Sequence, residues 1–152
     1  MRRPAALLAL VLLTGCGSDA PAVDDAEPQA VDERVTAVLG GVALELEVAD
    51  EPAERAVGLM RRTSVPAGTG MVFLFDEAVA SRFYMYDVPI PLKAVFIRAG
   101  AVVSSVVMPP CEEGEPAVCP TYGADGPFDT VVETAPATLP DVQPGDRFEL
   151  AP

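Results

Sequence analysis

The chain has 152 residues, enough for one ordinary domain, and half of them are hydrophobic, which suffices for a packed core. Ten Lys and Arg against 23 Asp and Glu leave a formal charge of −13, the wrong sign for gripping phosphate backbones, so no nucleic-acid partner is expected. The sequence contains no His, which removes His-dependent triads, His-ligated metal sites and the usual near-neutral base; no metal or cofactor is expected.

Residues 1–15 read as a signal peptide. Arg2 and Arg3 form a positive start, and Ala5 to Leu13 an apolar stretch of nine residues. That is far below the roughly 18–20 residues needed to cross a bilayer. Pro4 directly after the arginines favours the Sec route over the twin-arginine route. Leu13-Thr14-Gly15-Cys16 is similar to the bacterial lipobox, in which a cysteine thiolate takes a diacylglyceryl group and the signal peptide is cut before it. Two acyl chains anchor stably where one does not. The expectation is an exported protein whose partner is the membrane, held through lipid on Cys16 at the outer face of the cell membrane or at an outer membrane.

From Cys16 to Glu33 the chain is expected to be a disordered tether: residues 17–33 hold six acids, no base and no hydrophobic period. The folded domain is then expected over 34–152. It opens with a hairpin, in which Val35 to Leu39 leads through Gly40-Gly41 into a strand with Val42, Leu44, Leu46 and Val48 on one face and Ala43, Glu45 and Glu47 on the other, which is expected to be wet. Asp50 is expected to cap a short helix with Pro52 in its first turn and Gly58 near its end. The continuous run Met71 to Phe75 suggests a strand buried on both faces. Further strands are expected at 83–86, 94–97, 102–107, 130–133 and 147–150. The fold class is therefore mainly β (α+β): a compact, mostly antiparallel partial barrel of about seven short strands with one or two short helices.

Cys111 and Cys119 sit in a Pro- and Glu-rich loop with seven residues between them. Outside the cytosol such a pair is most simply a disulfide. Zinc is the rival reading, but two cysteines without His do not complete four ligands. A redox-active pair would favour C-x-x-C at a helix start.

Several stretches resemble one family, domain of unknown function 192, also called uncharacterised protein family 0127. They are VAD-PAERAVGLMRR at 48–62, GTGMVFLFD at 68–76, FYMYDVPIPLKAVFI at 83–97, PC-CP-Y at 110–122, VVE at 131–133 and PGD at 144–146. The resemblance implies a small β-rich fold, often exported, with no established activity. The family's central motif reads Phe-Trp-Met-Lys-Asn-Thr, two residues, then Pro-Leu-Asp. Here Phe83, Met85, Pro91 and Leu92 match, whereas Tyr84, Tyr86, Asp87, Val88 and Lys93 replace the Trp, Lys, Asn, Thr and Asp. Exchanging Lys for Tyr86 and Asp for Lys93 would reverse the charge of a pocket built from both positions.

The candidate ligand-binding residues are Arg62, Tyr84, Tyr86, Asp87 and Lys93; no catalytic residue is assigned. Alternation along 83–86 sends the tyrosines away from Phe83 and Met85, and the prolines at 89 and 91 are expected to hold Lys93 beside them. Carboxylates such as Asp76, Asp129 and Glu133 keep a paired-acid reading open by type alone. The functional expectation is a lipid-anchored, non-catalytic binding or accessory module of the cell envelope, with a small polar ligand or an envelope protein as partner. The alternatives are a carboxylate-dependent hydrolase of envelope glycans or lipids, and a passive structural lipoprotein.

Overall fold

The computed structural model describes residues 27–112 and 114–151, so the signal peptide, Cys16 and the first part of the acidic segment lie outside the described residues. Strands β1 (Arg34–Leu39) and β2 (Val42–Ala49) pair antiparallel through Gly40 and Gly41. Their φ values of 57° and 83° are the two positive angles that a two-residue turn of this hand requires. Helix α1 (Pro52–Val57) then carries the chain to β3 (Thr69–Val79), which runs parallel to β2 and so cannot be reached by a tight turn. After β4 (Phe83–Tyr84) come the hairpin of β5 (Leu92–Arg98) and β6 (Ala101–Met108), then β7 (Thr121–Tyr122), β8 (Phe128–Thr134) and β9 (Phe148–Leu150). Short 3-10 turns occupy Pro116–Val118 and Pro136–Thr138.

Seven strands form one sheet in the order β6-β5-β8-β3-β2-β1-β9, antiparallel except for β2 with β3, and β4 and β7 make a separate ribbon. The large sheet curls into a half-barrel whose two edges meet at one corner. There Ala101, at the start of β6, bridges to Arg147 just before β9. Val102 N–H donates to the Asp146 carbonyl (2.9 Å) and Phe148 N–H to that of Gly100 (2.9 Å). The expected partial barrel is thus what the chain forms.

Curling gives the sheet an inner and an outer face, each with its own apolar core. Leu39, Leu44, Leu46, Val72, Val95, Ile97, Val132 and Leu139 pack inside. Met71, Phe73, Ala94, Phe96, Phe128 and Val131 face outward and are covered by Leu59, Met85 and Val88. The middle strands β5 and β8, and β3 as far as Phe73, are therefore buried on both sides; of the run expected at 71–75, Leu74 and Phe75 are half-buried. Phe83 anchors the outer cover, its ring 5.3 Å from Phe73 edge-on and 5.8 Å from Phe96. Such pairs contribute about 0.5–1.5 kcal/mol each beyond the area they bury. Gly70 lets β3 lie close against β8, since a Cβ there would stand 2.1 Å from the Glu133 carbonyl oxygen.

Three expectations change. The helix is capped by Glu51, not Asp50: Pro52 holds the first helical position, so the residue before it is forced extended (φ −87°, ψ 145°) and becomes the cap. The Glu51 N–H is met by the Glu54 carboxylate at 3.2 Å. Glu47 is not on a wet face; it is buried under Arg62 and Arg34, which donate to it at 2.7 and 3.3 Å. Finally, the acidic segment does not stay free as far as Glu33. The Gln29 side chain donates to the carbonyls of Glu54 (3.1 Å) and Gly58 (2.7 Å), Arg62 donates to the Gln29 carbonyl (2.8 Å), and Val31 is buried in the outer core. A single apolar residue at Val31 and one amide at Gln29 suffice to seat a strap that composition alone reads as polar.

Candidate functional site

β8 sits between β3 and β5, and Glu133 on it lies opposite Met71 on one side and Ala94 on the other. All three side chains point to the outer face. There a cleft of about 320 Å³ opens between α1 with the turn after it and the Phe83–Val88 segment. Its walls are Leu59, Met60, Phe73, Phe83, Met85 and Val88, and Glu133 stands among them, 5% exposed. Its carboxyl has no hydrogen bond or ion pair among the described residues, so burial alone acts on it and pushes its pKa up to about 8. Near pH 7 it is a neutral acid with one O–H free to donate to a ligand. That is an unusual group to find in an apolar cleft, because an unpartnered buried polar group is costly.

The rim is positive. Arg55 lies over the Phe75 ring (5.0 Å) and donates to the carbonyls of Leu74 (2.9 Å) and Asp50. Arg82 donates to the hydroxyl (3.0 Å) and carbonyl (2.6 Å) of Thr121. Arg34, Arg61, Arg62 and Arg98 all make ion pairs with carboxylates; among the described arginines Arg55, Arg82 and Arg147 make none, and of these three Arg55 and Arg82 line the cleft. In a chain of charge −13 these two cations stand uncompensated at one opening.

Of the residues singled out from sequence, only Tyr84 lines this cleft, 39% exposed, with Phe83 and Met85 turned inward as the alternation required. Tyr86 is half-buried on the following turn. Asp87 is tied to Arg61 by an ion pair of 2.8 Å and by the Arg61 N–H to its carbonyl (2.6 Å). Both residues are left-handed (φ 57° and 63°), a conformation that Asp tolerates better than most residues, as does the Asn usual there. Arg62 serves the strap through Glu47 and Gln29, beside a wider, open cleft of about 490 Å³ lined by residues 27–32.

Lys93 does not join the tyrosines. Leu92 and Ala94 take the outer face, so Lys93 points into the half-barrel, where it is 8% exposed and its Nζ donates to the carbonyls of Leu139 (2.6 Å) and Pro140 (3.3 Å). Lys93 and the 83–85 segment thus lie on opposite sides of the sheet, and the exchanges at Tyr86 and Lys93 do not invert the charge of one pocket. Glu133, Arg55 and Arg82 were not singled out as a site. The available signal was an acid placed directly after the apolar pair Val131-Val132.

Cys111 and Cys119 form the expected disulfide, with Cα atoms 5.6 Å apart. The Cys111 N–H donates to the Met85 carbonyl (3.4 Å), so the bridge braces the segment that forms one wall of the cleft.

Among solved structures the fold is similar to a candidate transcription regulator from Sinorhizobium meliloti 1021, 27% identical, with a TM-score of 0.65 over 77% of this chain and 92% of that one. It is also similar to a protein of unknown function from Novosphingobium aromaticivorans DSM 12444, 28% identical, with a TM-score of 0.61 over 76% and 84% of the two chains. No curated protein matches significantly. Residues 35–150 match DUF192, described as an uncharacterized ACR (COG1430), and the chain belongs to this family.

Proposed function

We propose that the domain is a non-catalytic binding module of the cell envelope, held to the membrane by lipid on Cys16, and that its cleft takes the apolar body of a small ligand. The observation that carries this reading is the cleft itself: about 320 Å³, walled by Leu59, Met60, Phe73, Phe83, Met85 and Val88, with one neutral acid among them. Concave apolar volume with a few polar groups is the usual form of a small-molecule site. The lipid anchor rests on the sequence at 13–16.

Hydrolysis by paired acids wants two carboxyls about 5–10 Å apart. The residues lining this cleft include a single carboxyl, Glu133. A lone protonated acid orients a ligand but has no base to work with. The regulator description of the Sinorhizobium relative is not carried over as nucleic-acid binding, because a charge of −13 opposes it.

The test is methyl NMR of the 13C-methionine protein during titration with small apolar compounds. Met60 and Met85 are expected to shift together and saturably, well beyond Met108. Silence at both with every compound at millimolar concentration overturns the cleft reading. Turnover of a cell-wall or lipid substrate that disappears in Glu133→Gln would replace it with the hydrolase reading.

A further inference from the structure

The cleft described above pairs an apolar interior with a rim that holds the uncompensated cations Arg55 and Arg82. Of the three described arginines without an ion pair, Arg55, Arg82 and Arg147, the first two stand at this one opening. Both spend hydrogen bonds on neutral oxygens that fix the guanidinium without cancelling its charge. Such a group binds an incoming anion at little further cost in side-chain ordering. The interior has room for about ten groups of water size, at roughly 30 Å³ each, which is one medium-length chain and not two.

We propose that this cleft selects a single-chain anionic amphiphile, its acyl chain lying along Leu59, Phe73, Phe83 and Val88 and its anionic head meeting Arg55 and Arg82. This rests on the cleft reading above and adds the ligand's class. Arg55, Arg82, Tyr84 and Glu133 are the titratable groups that line the opening. Glu133 is the one whose ionisation near pH 8 would set a second negative charge beside an anionic ligand, so binding weakens as pH rises through that range. A carboxylate head and a phosphate head share the required chemistry.

The experiment titrates the purified full chain by calorimetry with sodium decanoate, decyl phosphate, 1-decanol and decyltrimethylammonium, each below its micelle concentration. The anionic probes are expected to bind at least about ten-fold more tightly than the alcohol and the cation. The comparison of decanoate with decyl phosphate shows which head is preferred. In Arg55→Gln/Arg82→Gln, checked for an unchanged melting temperature, that advantage is expected to vanish while decanol binds as before. Affinity for decanoate is expected to fall by about ten-fold or more from pH 7 to pH 9 in the native chain, and to stay level in Glu133→Gln. Decanol binding as tightly as decanoate, or an arginine variant that keeps the anion preference, overturns the proposal and leaves the apolar cleft standing. Failure of all four probes overturns both.

Discussion

Glu133 holds its proton more tightly in the folded chain than in the unfolded one, because burial penalises the charged form. The folded state therefore binds the extra proton between about pH 4.5 and about pH 8, and stability falls as pH rises through that window. The cost is absent at the acid end and complete above pH 8, where it reaches about 5 kcal/mol. Glu133→Gln is expected to melt close to the native chain at pH 5 and clearly above it at pH 8.5. A melting series on both proteins checks the divergence. Lys93 gives a contrasting case at the same scale. Its ammonium pins the 136–140 turn inside the half-barrel, so Lys93→Ala is expected to lose about 1.5–3 kcal/mol in denaturant titration while leaving ligand shifts at Met60 and Met85 unchanged. The sequence made Tyr84 legible through alternation but misplaced Lys93, because a proline-flanked approach says nothing about which face the next strand turns to the core. Glu133 was visible only as a type, since neither burial nor the absence of a partner is written in local sequence.

Strands were legible where their pattern was strong. The run at 71–73 and the alternation from Leu44 to Leu46 survive in β3 and β2, whereas Val42 is exposed. The pattern broke at Glu47, whose burial depends on Arg62 and on a strap arriving from the other side of the chain. β7 was not legible: two residues paired to β4 carry no periodicity. The Cys111–Cys119 bridge constrains a short local loop, so its reduction is expected to raise hydrogen exchange at residues 108–122 and, through the Cys111 to Met85 contact, at 83–88. The seven-stranded sheet should keep its protection; exchange measured with and without reductant checks both halves. Gly70→Ala tests the β3–β8 contact. A Cβ set against the Glu133 carbonyl forces those strands apart, and a loss of roughly 3 kcal/mol or more is expected in denaturant titration.

For the molecule as a whole, the sequence specified a curled β domain because its strands are short and its turns are punctuated by Gly and Pro; among the described residues α1 is the one α-helix. It did not specify the parallel pairing of β2 with β3 or the corner at Ala101 and Arg147, since both join residues far apart in the chain. Membrane attachment belongs to this scale. Cys16→Ser is expected to abolish incorporation of radiolabelled palmitate and to move the protein from the membrane fraction to the soluble one. Equal labelling of the variant would refute the anchor.

The strap gives that anchor a mechanical meaning. Twelve residues separate Cys16 from Gln29, a mooring line of at most ~45 Å when taut. Its first fastening, ahead of Val31 and of the Glu33 carbonyl that meets Val48 on β2, is not to the sheet. It fastens to the carbonyls of Glu54 and Gly58 at the end of α1, one wall of the cleft, with Arg62 as a second cleat. A load on the line therefore falls on three side-chain hydrogen bonds before any strand bears it. Under the proposed lipid anchor, drag between membrane and domain would be felt first at the mouth where a ligand would enter.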